Sequence, residues 1–378
     1  MEKTKIIYID PQSMRNLSIY DYGVLSELQG DVTYICSKYY DHLPLPQHIH
    51  QKKNFSYNQC HSNVTKLLSY LWSYFMIFFH IMHHRPDIIH VQWFRVPQFD
   101  YTFYRLVKAL FNVRLVFTAH NILPHNTGET YFSIYNKTYQ LFDRIIVHTA
   151  VTKEELVKKF KLPSEKIQVI PHGLLHMAYN EETYKNSEHE YEQRYATKGK
   201  MVFTSLGEQS AYKGIDLLSQ VWEESPELCE NENLRLLIIG KQSGISLDSI
   251  KNISNVVVED RKISNEEFVY LLRHTDVYLL PYRLISQSGA LLTALNERTP
   301  VLVSDIGGLT DPLKIAEVGW SVKSNDYNAL KHMLIHLSTH PNEVAKIKND
   351  VNAWNTIANE YGWENISKAT METYHHLF

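Results

Sequence analysis

The chain has 378 residues, a formal net charge of −3 and 21% charged residues. That length favours two domains of ordinary size, each able to bury its own core. The near-neutral balance argues against a polyanion binder, so no nucleic-acid partner is expected. Cys36, Cys60 and Cys229 are scattered without CxxC spacing, which argues against a disulfide framework or a zinc knuckle and fits a reducing cytoplasm.

The chain enters a strand at once, over 5–9, with an apolar run too short for a secretory leader. Further strand-length runs lie at 32–36, 88–92, 114–118, 144–147 and 167–170, with helical patterns at 101–110 and 152–160. One apolar stretch, LLSYLWSYFMIFFHIM at 67–82, falls short of the ~20 residues that span a bilayer. It reads as a buried crossover helix. A competing reading lays one face in the membrane interface, because Tyr70, Trp72, Tyr74, Phe75, Phe78 and Phe79 are flanked by Lys52, Lys53, Lys66 and Arg85. A membrane surface met through 63–85 is therefore retained as a partner, and the inner face of the cell membrane as a second location beside the cytoplasm. His80, His83 and His84 have helical spacing but no acidic or cysteine companion, so they read as the wet side of that helix and not as a metal site.

The polar, aliphatic-poor stretch 178–200 breaks the alternation and reads as a boundary. Strand-length runs then resume at 201–205, 234–239, 256–258, 277–280 and 301–303, and 363–378 has helical spacing. Continuous apolar strands alternating with helices predict an α/β fold of parallel sheets covered on both faces. The predicted organisation is two Rossmann-like domains, 1–178 and 201–360, facing a cleft, with 179–200 as linker and 361–378 as a helix crossing back.

Residues 276–308, DVYLLPYRLISQSGALLTALNERTPVLVSDIGG, read as strand, loop, helix, strand and a paired-glycine loop. Ser288 and Gly289 open the helix after a parallel strand, where unpaired N–H groups and the positive dipole end suit a phosphate. A plain βαβ unit with a serine cap fits the same residues. GEQSAYKG at 207–214 puts Lys213 beyond another strand end, as a point charge suited to phosphate or as a solvated loop lysine. It does not fit GxxxxGK[ST], so a Walker-type NTPase is not supported. His120 and His172 each follow a strand of the first half, where an imidazole meets a polar ligand or serves structure.

Taken in order, these segments resemble the retaining nucleotide-sugar glycosyltransferases of family 4, which have the GT-B fold. The matching stretches are VFTAHNILPHN at 116–126, DRIIVHT at 143–149, KIQVIPHG at 166–173, AYKGIDLL at 211–218, LRLLIIG at 234–240, TDVYLLPY at 275–282, TPVLVSDIGG at 299–308 and YGWENISKATMETY at 361–374. The resemblance implies a nucleotide diphosphate sugar as donor and a glycan or lipid-linked acceptor, with no cofactor or metal. It places Lys213, Gly207, Ser288 and Gly289 on the donor phosphates and His120 beside the donor sugar. Asn121, Gln287 and Thr293 become sugar or ribose candidates, and His125 and His172 acceptor candidates. The chain departs from the family pattern at its two glutamates, where Ile285 and Thr293 stand. It departs again in the first loop, Pro11-Gln12-Ser13-Met14, and at an arginine before the lysine, where Gly207 and Glu208 stand; Arg283 is the candidate replacement. These departures keep two other expectations open, a non-catalytic GT-B protein that binds nucleotide or supports a transferase, and a sugar-nucleotide epimerase.

Overall fold

The computed structural model describes residues 4–14, 17–40, 43–124 and 129–378. These form two units, Met1–Gly173 with Tyr361–Phe378, and Leu174–Glu360.

The first unit is built on seven parallel strands: β1 Lys5–Ile9, β2 Asp31–Ser37, β3 Ile49–Phe55, β4 Ile88–Val91, β5 Arg114–Thr118, β6 Arg144–Val147 and β7 Ile167–Val169. Their order in the sheet is β3-β2-β1-β4-β5-β6-β7. Because side chains alternate along a strand, Ile7 and Ile9 enter one core cluster with Tyr74, Ile77, Phe103 and Phe117, while Ile6 and Tyr8 enter another with Val24, Ile366 and Tyr374. Edge strand β3 (IHQKKNF) has no apolar run, since its four middle residues from His50 to Lys53 are exposed.

The apolar stretch forms the helix Asn63–His84, opened by a reciprocal Ser62–Thr65 capping box. Its 22 residues are long and apolar enough to cross a membrane by length and composition. Tyr70, Tyr74, Ile77 and Ile81 nevertheless pack in the first core, and Tyr70 donates to the buried Asp100 carboxylate at 2.7 Å. One face thus covers the sheet. The opposite face leaves Trp72 and Phe75 62% and 50% exposed, stacked with centroids 5.3 Å apart.

The last helix, Trp363–His375, closes the first unit. A Cβ at Gly23 or at Gly173 would collide with the Trp363 indole, and Ser367 Oγ donates to Val24 O at 2.6 Å.

The second unit holds β8 Met201–Leu206, β9 Gln209–Ser210, β10 Leu234–Ile239, β11 Gln242–Ser243, β12 Val256–Glu259, β13 Val277–Leu280, β14 Val301–Ser304 and β15 Gly319–Val322. Six are parallel in the order β12-β10-β8-β13-β14-β15, and β9 pairs with β11. The stretch read as a linker carries the helix Glu181–Tyr195, capped by Asn180. Its few aliphatics conceal an anchor, because Tyr184, Tyr191 and Tyr195 are all buried. The Tyr195 hydroxyl donates to Glu267 at 2.5 Å, and Glu267 also accepts from Arg261. This helix packs as part of the second unit, which begins at Leu174 and not at residue 201.

Candidate functional site

In the second unit the polar residues of interest cluster beyond the carboxyl ends of β8 and β13. Lys213 closes a single 3₁₀ turn, Ala211–Lys213, and Gly214 follows in the left-handed region at φ +69°. A Cβ at Gly214 would strike the Pro281 carbonyl, so glycine lets the turn lie against the end of β13. The Lys213 ammonium lies 5.8 Å from the centroid of the Tyr282 ring. It is half-buried and joins no ion pair among the described residues. Burial lowers its pKa, and the Glu208 carboxylate opposes that shift.

Ser288 lies beside the Tyr282 phenol, and its hydroxyl caps the helix Gly289–Asn296 by accepting from Leu291 N at 3.3 Å. Gly289 is exposed at this terminus, and Gln287 is partly exposed beside it. Gly207 lies next to the lysine, since a Cβ built there would be 3.7 Å from Lys213 Nζ. The structure therefore brings Lys213, Gly207, Tyr282 and the Ser288–Gly289 terminus into one neighbourhood. A half-buried cation in no ion pair among the described residues, near a helix N-terminus, has the chemistry to hold an anion.

Two expected members stand elsewhere. Arg283 donates from Nη1 to Asp216 Oδ1 at 2.7 Å and to Ala211 O at 2.8 Å, and from Nε to Asn325 Oδ1 at 2.7 Å. Its own backbone N–H donates to Tyr212 O at 2.8 Å. The guanidinium thus braces the Lys213 turn through Nη1 and Nε, which leaves only Nη2 for a phosphate. Thr293 is 5% exposed and donates to Gly289 O at 3.0 Å; a mid-helix threonine satisfies its hydroxyl on the preceding turn, which removes it from a ribose.

In the first unit, His120 follows β5 and lines a cavity of about 330 Å³ with Gln12, Gln92, Trp93, Arg95 and Asn121. Its ring stacks on Trp93, centroids 4.7 Å apart and 11° from parallel. Nε2 is 3.0 Å from Gln92 Oε1 and Nδ1 is 3.1 Å from His148 Nε2. Burial, then the neighbouring histidines, hold its pKa well below the ordinary value. His172 bonds Gly173 O through Nδ1 at 2.9 Å and packs against Tyr20 and Trp363; burial lowers it to about 4. His125 lies outside the described residues. Sequence reasoning missed Gln92 and His148. The signal was present, because Gln92, His120 and His148 recur just beyond the ends of β4, β5 and β6.

The Glycosyltransferase Family 4 model matches residues 24–174, and the Glycosyl transferases group 1 model matches 187–354. The D-inositol 3-phosphate glycosyltransferase of Corynebacterium diphtheriae is 24% identical over 262 residues, 65% of this chain and 60% of the relative. An uncharacterized glycosyltransferase of Methanocaldococcus jannaschii is 24% identical over 248 residues, 64% and 61% of the two chains. These matches thus span 60% and 61% of the length of the curated relatives. Among solved structures, sucrose-phosphate synthase from Thermosynechococcus elongatus superposes with a TM-score of 0.70 at 16% identity, covering 100% of this chain and 99% of that one. HepE of Anabaena in complex with UDP gives a TM-score of 0.70 at 12% identity, covering 99% and 100%. With two parallel-sheet α/β units and these matches along its length, the chain belongs to the family 4 glycosyltransferases and has the GT-B fold.

Proposed function

We propose that the chain transfers a sugar from a nucleotide diphosphate donor to a hydroxyl of a glycan or lipid-linked acceptor, with retention at the anomeric carbon. Assembly of a capsule, exopolysaccharide or other cell-surface polysaccharide is the setting. The observation that carries this reading is the half-buried Lys213 ammonium, in no ion pair among the described residues, facing the Tyr282 ring, whose phenol lies beside Ser288 at the helix terminus. When the bond from sugar to diphosphate breaks, negative charge grows on the departing phosphate. A fixed cation and oriented N–H groups stabilise that charge more than they stabilise the bound donor. In this reading they carry the charge without a metal ion. His120, held neutral, orients the sugar.

HepE of Anabaena was solved with UDP and with UDP-glucose, so a uridine diphosphate sugar is the first donor to try. The test incubates the protein with UDP-glucose, UDP-galactose, GDP-mannose and ADP-glucose and follows both thermal stabilisation and nucleoside diphosphate release. Release from one donor, abolished by Lys213→Ala, supports transfer chemistry. Stabilisation without release points to a nucleotide-binding module instead. Absence of both overturns the donor site.

The outer face of Asn63–His84 supports a second element of the reading, peripheral attachment to the inner face of the cell membrane. Leu68, Trp72, Phe75 and Phe79 are exposed along it, with Lys66 near one end and Arg85 at the other. Aromatic rings with basic flanks suit the interface of an anionic bilayer, where a lipid-linked acceptor resides.

A further inference from the structure

The first unit carries a line of hydrogen-bonded polar side chains that the nucleotide site does not use. Tyr374 Oη lies 2.6 Å from His90 Nδ1, and His90 Nε2 lies 2.7 Å from Thr118 Oγ1 and 3.0 Å from the Gln92 amide nitrogen. The Gln92 amide oxygen is 3.0 Å from His120 Nε2, and His120 Nδ1 is 3.1 Å from His148 Nε2. The line ends where His148 Nδ1 meets Ile170 O at 3.0 Å. Tyr20 and His172 face the His120–His148 pair, with centroids 4.8 Å from Tyr20 to His120 and 5.4 Å from His172 to His148.

The last bond sets the direction of all the others. A carbonyl only accepts, so His148 Nδ1 donates. Burial keeps His148 neutral, with its pKa lowered to about 3. Its Nε2 therefore has no proton, and the bond from His120 must run from Nδ1–H. His120 is also neutral, pushed well down first by burial, so its Nε2 carries a bare lone pair. A lone pair requires the amide nitrogen of Gln92 opposite it, which a half-turn of the amide supplies without moving any heavy atom. That turn sets the amide oxygen toward His90. The Tyr374 hydroxyl, whose pKa burial raises, donates to His90 Nδ1 and leaves Nε2–H for Thr118 and Gln92. Every bond then has one donor and one acceptor, and no ring is charged.

We infer that His148 is a positioning residue: anchored on the Ile170 carbonyl, it fixes His120 as the neutral Nδ1–H tautomer, so that His120 Nε2 accepts from the Gln92 amide and holds that amide at the wall of the cavity the two residues line. Because the line terminates on a carbonyl, His148 orients and polarises His120 and does not relay a proton. On the sugar-transfer reading, on which this last step rests, the remaining N–H of the Gln92 amide, fixed in place by His120, suits a ligand hydroxyl oxygen, and the Trp93 ring suits the apolar face of a sugar.

The direct test is long-range proton–nitrogen correlation on ligand-free protein labelled with ¹⁵N-histidine. His120 and His148 are both expected as neutral Nδ1–H tautomers from pH 6 to pH 8. Either ring found as Nε2–H, or charged at pH 6, overturns the inference. In His148→Leu the His120 signal should move toward Nε2–H, whereas His148→Gln, which both donates and accepts, should restore Nδ1–H. If His120 keeps Nδ1–H in a folded His148→Leu protein, or if His148→Gln leaves it Nε2–H, His148 does not set the tautomer. With UDP-glucose as probe, His148→Leu should lower turnover about tenfold while UDP affinity by calorimetry is unchanged. Equal loss of both overturns the positioning role. Since the tautomers are read without ligand, failure of the donor site at Lys213 leaves this inference standing, and a wrong tautomer leaves that site intact.

Discussion

The Lys213 ammonium stands 5.8 Å from the centre of the Tyr282 ring, and the Tyr282 phenol lies in turn beside Ser288. One tyrosine therefore links the unpaired cation to the capped terminus of Gly289–Asn296. The ring presents its negative face to the ammonium, and the first N–H groups of a helix lack partners within the helix and can meet an anion. Lys213→Ala should reduce transfer by ~2–4 kcal/mol of transition-state stabilisation, because a fixed charge on the leaving group is lost. Melting temperature should barely move, since the side chain is only partly buried. Lys213→Arg should recover part of the rate, its planar fork having a different reach. Steady-state rates for the two variants check this, and a loss in Lys213→Ala below about tenfold contradicts the assignment.

Trp363 seats against two glycines, one in the helix Ser18–Glu27 and one after β7. Gly23→Ala and Gly173→Ala should each destabilise the protein by ~1–3 kcal/mol, as overpacking does in a tight site. In a Trp363→Ala background the added methyl group finds space, and its cost should fall below ~0.5 kcal/mol. Denaturant titration of the six proteins, wild type included, measures the two couplings. Additive losses show that the indole is not the obstacle.

Burial holds five histidines of the first unit neutral when folded, with His90 and His148 lowered to about 3, His80 and His172 to about 4 and His120 well below normal. The unfolded chain protonates each near pH ~6.5. Their stabilisation is complete above that pH and is lost as pH falls toward their folded values. Three buried carboxyls act in the opposite sense, because Asp21 is raised to about 6, Asp100 to about 7 and Asp10 well above normal, all chiefly by burial. They hold protons in the folded state that the unfolded chain releases down to pH ~4. Between those limits the two sets oppose each other, with the histidines the larger set. Asp100→Asn should therefore steepen acid destabilisation around pH 5 by about 1.4 kcal/mol per pH unit, and His148→Leu should flatten it by a similar amount. Urea unfolding from pH 4.5 to 7 reads both slopes, and unchanged slopes contradict the protonation states.

Trp72→Ser combined with Phe75→Ser should abolish co-sedimentation with anionic liposomes while leaving the fold intact, because both rings are exposed and their ring contacts, with each other and with the exposed Phe79, lie on the outer face. Wild-type binding should increase with anionic lipid and weaken as salt is raised. Wild-type protein that fails to pellet at low salt assigns the outer face some other role.

Much of the frame was legible before any coordinates, since central parallel strands such as Lys5–Ile9, Arg114–Thr118 and Val277–Leu280 are continuous apolar runs. The edges were not. Ile49–Phe55 is nearly all polar in its exposed middle, and Gly319–Val322 is short and half-exposed. The helix Glu181–Tyr195 hid behind its charge because its core face is made of tyrosines alone. At the site, Lys213, Gly207 and Ser288 were readable from their places after strands. The engagement of Arg283 with Asp216 was not, since 67 residues separate the partners. Neither was the line from Gln92 to His148, which exists only because β4, β5 and β6 are neighbours in the sheet.

The central claim is that nucleotide affinity rests on the diphosphate, held by Lys213 and the Ser288–Gly289 terminus, with the ribose gripped weakly because Thr293 is turned to Gly289 O. Titration calorimetry of UDP against UMP, on wild type and on Lys213→Ala, tests it most directly. The account predicts that wild type binds UDP far more tightly than UMP, by about tenfold or more, and that Lys213→Ala removes most of that difference. Equal affinity of wild type for UDP and UMP, or a Lys213→Ala protein that keeps the full preference for UDP, would contradict it.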